Sequence, residues 1–178
     1  MERVTEILQD NKISDFSKVN PLVLSQAQEF GKNVHLACKL YDEHNLNMLT
    51  LDPELLPYLE GWMMFLADYR IKEFLNIEVT LYSKLGFQGT PDRIYKVNIR
   101  YIDIYDIKTA EEKYPASKIQ LAGYEVLAEE TYKLKVRNKY IIHLSKNDYK
   151  VEDCKDSRAK IIFISALNLT KFRKEYNL

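Results

Sequence analysis

The chain has 178 residues, 46% hydrophobic and 29% charged, which suits one packed α/β-sized core and excludes a disordered or fibrous protein. Its two cysteines, Cys38 and Cys154, stand far apart without CxxC-type spacing; they cannot supply the four thiolates of an iron–sulfur cluster, give no support to a disulfide framework, and read as two buried or idle thiols. Formal net charge is zero, yet residues 1–106 hold 11 Lys/Arg against 16 Asp/Glu (−5) and residues 107–178 hold 15 against 10 (+5). That split fits either a phosphate-binding face beside a carboxylate site or an ordinary mixed surface.

The opening Met-Glu-Arg-Val run lacks the apolar core of a signal peptide, and no stretch approaches the ~20 apolar residues of a membrane span. A soluble, cytoplasmic protein without a membrane partner is the expectation. Apolar residues then recur at helical spacing from Leu22 to about Glu43, with Pro21 suited to a first turn. Asp52 is a candidate N-cap for a second helix from about Pro53 to Phe74, whose apolar face includes Leu59, Trp62, Phe65 and Leu66.

The period changes next. Ile77, Val79 and Leu81 alternate with Glu78, Thr80 and Tyr82, predicting a strand. Lys84-Leu85-Gly86 reads as a turn, Gly89–Asn98 as a second strand and Tyr101–Thr109 as a third. Pro115–Thr131 is expected to be helical. Strands follow at Lys139–Leu144 and Tyr149–Glu152 across the turn-like Ser145–Asp148, and a closing helix spans about Asp156–Glu175. This order predicts one α/β domain over 1–178, a central mixed sheet flanked by helices, with a helical part over about 1–75 and a sheet-and-helix part over about 76–178.

The chemistry-bearing residues lie in the middle. Asp106 and Lys108 are two apart on a strand and share a face, while Ile107 turns to the core. A turn near Val97–Tyr101 would bring Asp92, on the preceding strand, beside Asp106. Two converging carboxylates with a neighbouring lysine make a hard-cation site suited to phosphodiester hydrolysis. Asp103 is an odd number of residues from Lys108 and is expected on the other face.

The ordered set Gly89-x-x-Asp92, Asp106-x-Lys108 and Gln120-x-x-x-Tyr124 resembles the GxxD, (D/E)xK and QxxxY motifs of RecB-like and lambda-exonuclease-like members of the PD-(D/E)XK superfamily. Gly31-Lys-Asn-Val-His35 resembles the upstream GxxxH element. The resemblance implies a restriction-endonuclease-like core and a Mg²⁺- or Mn²⁺-dependent deoxyribonuclease holding one or two ions, with DNA as substrate. Metal ligands would be Asp92, Asp106, the Ile107 carbonyl and His35, with Glu78 as a further candidate; Lys108, Gln120 and Tyr124 would complete the catalytic set.

Plainer readings stand beside these. His35 could be a satisfied core histidine, Glu78 an exposed strand residue and Tyr124 a ring packed on the sheet. Thr109 could bond a phosphate or the backbone. Exonuclease action follows from the resemblance alone; an endonuclease of the same fold and a non-catalytic DNA- or protein-binding module are the alternatives. No helicase P-loop is present, and the cysteine staple of some relatives cannot be built. Stand-alone proteins of this kind resemble those of phages and mobile elements, where a recombination or replication protein would be a partner.

Overall fold

The computed structural model describes residues 1–109 and 115–178. A two-residue strand, β1 (Glu2–Arg3), leads into α1 (Val4–Asp10). The long helix α2 (Pro21–Asp42) starts as its sequence predicts, with Pro21 in the first turn and the Asn20 side chain accepting from the Leu22 amide. Helix α3 (Leu56–Asp68) is shorter than periodicity predicts at both ends. Asp52 caps a local turn instead, accepting from the Glu54 amide at 2.9 Å, and Arg70 enters the left-handed region (φ 54°), which stops the helix.

The predicted strand over Ile77–Tyr82 is two pieces, β2 (Asn76–Ile77) and β3 (Leu81–Tyr82). Glu78 breaks it with a φ of 50°. The predicted Gly89–Asn98 strand is also divided, into β4 (Phe87–Gly89) and β5 (Arg93–Lys96). Pro91 lies at that break, where a residue without an amide hydrogen cannot extend a ladder. At each break the chain leaves one sheet for another. The remaining elements are β6 (Tyr101–Lys108), α4 (Pro115–Tyr132), β7 (Lys135–Ser145), β8 (Asp148–Asp153) and α5 (Ala159–Glu175).

The main sheet has the order β2-β5-β6-β7-β8, antiparallel except for the parallel β6–β7 pair that α4 connects. A smaller sheet, β1-β4-β3, forms beside it, with β1 parallel to β4. The sequence reads Leu81–Tyr82 and Gly89 as parts of longer strands, and pieces of two or three residues leave no period that would mark a separate sheet. Its presence also adds a strand to a stretch that reads as wholly helical.

Strand β6 is covered on both faces. Ile102 and Ile104 join Ile7, Leu121, Leu127 and Phe163 in one apolar cluster; Tyr105 and Ile107 join Val34, Leu59, Trp62 and Phe65 in the other. No helix among the described residues is long and apolar enough to cross a membrane.

Helix α3 lies so close to the β7–β8 hairpin that a Cβ on Gly61 would sit 2.4 Å from the Asp148 carbonyl oxygen. Gly61→Ala would raise helix propensity by about 1 kcal/mol, but backbone cannot give way as a side chain can. We expect a net loss of about 1–3 kcal/mol in urea unfolding; an unchanged midpoint would show that the hairpin is free to shift.

Cys38 and Cys154 are both buried, and burial raises both thiols, Cys154 to about 12. Neither should be alkylated by iodoacetamide at pH 8 until denaturant is added, as mass spectrometry of the intact chain would reveal.

Candidate active site

The hairpin between β5 and β6 brings the aspartates together. Val97 donates to the Tyr101 carbonyl at the turn, and the register pairs Arg93 with Tyr105 and Ile94 with Ile104. One step further along, Asp92 comes level with Asp106. Asp92 precedes β5 rather than lying on it, because the chain has just changed sheets. Its Oδ2 accepts the Ile107 amide hydrogen at 2.7 Å, so β6 itself fixes this carboxylate.

His35 reaches the same point from α2. Its Nε2 is 2.9 Å from the Ile107 carbonyl oxygen and its Nδ1 is 3.6 Å from Asp92 Oδ1. Gly31, one turn earlier, lies beside the end of β6, where a Cβ would meet Thr109 Oγ1 in ordinary contact at 3.5 Å. Lys108 Nζ lies 2.8 Å from Asp106 Oδ2.

Asp106 is 1% exposed, and its Oδ2 receives no well-aligned hydrogen bond despite the nearby ammonium. Burial raises its pKa, Lys108 opposes that rise and Asp92 adds to it. Burial pulls Lys108 down, but Asp106 and Asp92 outweigh it and hold the ammonium above its ordinary range. The lysine is therefore cationic beside a carboxylate that lacks full compensation.

Those features set the terms for a metal. Among the described residues no three His, Cys, Asp or Glu side chains form a complete cation cage. Mg²⁺ rarely needs one, being held by one or two carboxylates together with water and substrate phosphate. Ligands cis to one another on an octahedral ion with ~2.1 Å bonds are about 3 Å apart. The 2.9 Å between His35 Nε2 and the Ile107 oxygen satisfies that spacing, as it also satisfies an ordinary hydrogen bond. The under-compensated Asp106 and the hard oxygen donors fit a divalent ion.

Gln120 and Tyr124 share one face of α4, and the Gln120 amide donates to the Tyr124 hydroxyl at 2.8 Å. Tyr124 is 5% exposed, and burial, followed by Asp106 and Asp92, raises its pKa. Gly89 makes room for this ring: a Cβ there would be 2.8 Å from Tyr124 Cε1 and 2.9 Å from both Leu127 and Val4. Glu78 is not an exposed strand residue. It is partly buried off the strands, its carboxylate 3.4 Å from Arg93 and 3.8 Å from Lys39. Asp103 points away, as its parity predicts, and is buried against Arg137 and the Asn138 amide.

Sequence reasoning missed Arg93 and Asp42. Arg93 is fully buried, with its guanidinium 5.7 Å from the Trp62 ring centroid and 5.9 Å from that of Phe74. Its Nε donates to Asp42 Oδ2 and one terminal nitrogen to the Asp92 carbonyl, each at 2.7 Å. Trp62 Nε1 donates to the other Asp42 oxygen at 2.9 Å. The available signal was a charged residue set between Asp92 and the apolar Ile94.

A cleft of about 880 Å³ opens over Asp92 and Lys108, with Gln28, Lys32 and His35 from α2 on one wall and Thr109 at its end, while Asp106 lies buried behind Lys108. The basic residues of the second half do not gather there as one free face. Lys139 and Lys160 pair with Glu125, Lys118 with Glu152, Arg137 with Asp103 and Lys174 with Glu2.

Removing the Asp42 carboxylate would leave the Arg93 guanidinium buried without its main counter-charge. Asp42→Ala should therefore cost about 3–5 kcal/mol in chemical denaturation. A loss below about 1 kcal/mol would mean that water reaches Arg93 and offsets the change.

No family model matches the sequence, and no curated protein matches it. Solved structures do. The crystal structure of a provisionally named exonuclease from Eubacterium rectale aligns with 81% of this chain at 11% identity and a TM-score of 0.56. The match covers 65% of that protein, so the chain spans just under two thirds of its length. The crystal structure of SSO0001 aligns with 94% of this chain and 74% of its own at 12% identity, but its TM-score of 0.41 carries no argument. At such identities the likeness is one of fold, an α/β core with a mixed sheet flanked by helices.

Proposed function

We propose that this chain is a Mg²⁺- or Mn²⁺-dependent deoxyribonuclease of the PD-(D/E)XK type, hydrolysing phosphodiester bonds and acting from an end of the DNA. The observation that carries the reading is the convergence of Asp92, Asp106 and Lys108 at the end of β6, with the Ile107 carbonyl and His35 at the same point. A fold neighbour named as an exonuclease supports the preference for end-directed action.

Asp92, Asp106 and the Ile107 carbonyl would hold the ion, with His35 completing the set. When bound, the ion polarises the phosphate and lowers the pKa of its water. Lys108, cationic and anchored by Asp106, orients the attacking water and offsets the negative charge that grows on the phosphoryl oxygens. The water oxygen bonds to phosphorus, the bond to the leaving oxygen breaks, and that oxygen takes up a proton. Gln120 and Tyr124 present amide and hydroxyl groups from α4, suited to holding a phosphate in register. Glu78, already paired with Arg93 and Lys39, tunes the charge at the cleft wall. We place the enzyme in the cytoplasm, with DNA as its partner and a recombination or replication protein as a companion.

The test incubates the protein with labelled linear and closed circular DNA in Mg²⁺, Mn²⁺ or EDTA. Metal-dependent loss of linear but not circular DNA is expected. Lys108→Ala and Asp106→Ala should each lower the rate by at least about two orders of magnitude while thermal unfolding stays cooperative. Wild-type rates in either variant would place the chemistry elsewhere. Binding without cleavage of any DNA would leave a non-catalytic nuclease-like module.

A further inference from the structure

A second recess, of about 570 Å³, adjoins the catalytic cleft. Thr5 and Thr90 line both, so the two adjoin at that threshold. The small sheet builds the new recess: Arg3 comes from β1, Tyr82 from β3 and Gln88 from β4, while Thr80 and Thr90 face each other with their hydroxyl oxygens 2.9 Å apart. Among the described residues its lining contains no carboxylate, whereas the catalytic cleft contains Glu78 and Asp92.

Two side chains there are uncommitted to the fold. Tyr82 is 61% exposed, with no aromatic contact among the described residues. The Arg3 side chain is 69% exposed and only loosely paired with Glu6 at 3.9 Å, whose carboxylate is already used by the Arg3 amide. Gly89 and Tyr124 line this recess as well, which gives a Gly at position 89 a use: any side chain there would press on the ring beside it.

Resting on the nuclease reading, we propose that this recess is a binding subsite for one strand of nucleic acid, continuous with the strand lying over Asp92 and Lys108. Arg3 and the threonine hydroxyls take phosphate oxygens, and Tyr82 stacks on a base. Each recess has the volume of a small-ligand site, roughly 300–1,000 Å³. That volume admits a nucleotide or two of single strand but is too small to enclose the paired strands of a duplex. A frayed or single-stranded end enters, and paired DNA stays outside. One cation, hydroxyls and one aromatic face give little base discrimination, so recognition is sequence-tolerant.

The test uses full-length Lys108→Ala protein, which holds DNA without cutting it, and the anisotropy of fluorescein-labelled oligo-dT and of a blunt, GC-clamped duplex. Adding Tyr82→Ala should weaken oligo-dT binding roughly ten- to a hundredfold, and Tyr82→Phe should restore it. Adding Arg3→Ala should lower the slope of log affinity against log salt by about 0.7, as loss of one single-strand phosphate contact predicts. Duplex binding should change less than about twofold in all three. Both positions are exposed, and unfolding midpoints confirm that each variant folds. If wild-type protein cuts DNA but these variants bind oligo-dT as their parent does, the subsite is overturned and the nuclease reading stands. If the parent binds no DNA and wild-type protein cuts none, both fall together.

Discussion

The burial of Arg93 between Trp62 and Phe74, against Asp42, is the constraint on which the rest of the site depends. A guanidinium with no exposure to water is costly, and that cost is offset by the charge, rings and carbonyl packed around it, even though one of its terminal nitrogens has no hydrogen-bond acceptor among the described residues. Here two aromatic rings cover it, Asp42 supplies the counter-charge and the Asp92 carbonyl takes a further hydrogen. One residue thereby ties three layers together: the C-terminal end of α2, the middle of α3 and the start of β5. The backbone of a candidate metal ligand is part of that tie.

From this junction the division of labour between the two sheets follows. The chain crosses from the small sheet to the large one at Thr90-Pro91-Asp92, so Asp92 stands where neither ladder claims its side chain. Its carboxylate is taken up by the Ile107 amide instead. The small sheet walls the adjoining recess, and the large sheet presents Asp106 and Lys108. One break in a strand thus sets both the position of Asp92 and the boundary that the two clefts share.

Charge shows the same dependence on three dimensions. Divided along the chain, acidic and basic residues separate into halves of −5 and +5, which invites a reading of two opposed faces. In the fold, much of the basic half is spent on neighbouring carboxylates of α4 and β6. Lys108 is different because its partner is buried beside a second carboxylate, where screening is weak and the pair retains its field.

The sequence by itself determined the helices α2, α4 and α5, the strands β6, β7 and β8, and the pairing of Asp92 with Asp106 across a turn. These are local properties: a period of 3.6 or 2, a proline in a first turn, a parity along one strand. It also determined that Asp103 faces away. Tertiary structure alone decided where two predicted strands break, because Glu78 and Pro91 interrupt stretches whose side chains still alternate. It alone decided the small sheet, whose strands are too short to carry a pattern, and the Arg93–Asp42 pair, whose members are 51 positions apart. A charge is buried or exposed according to what packs around it, and no spacing within one segment records that.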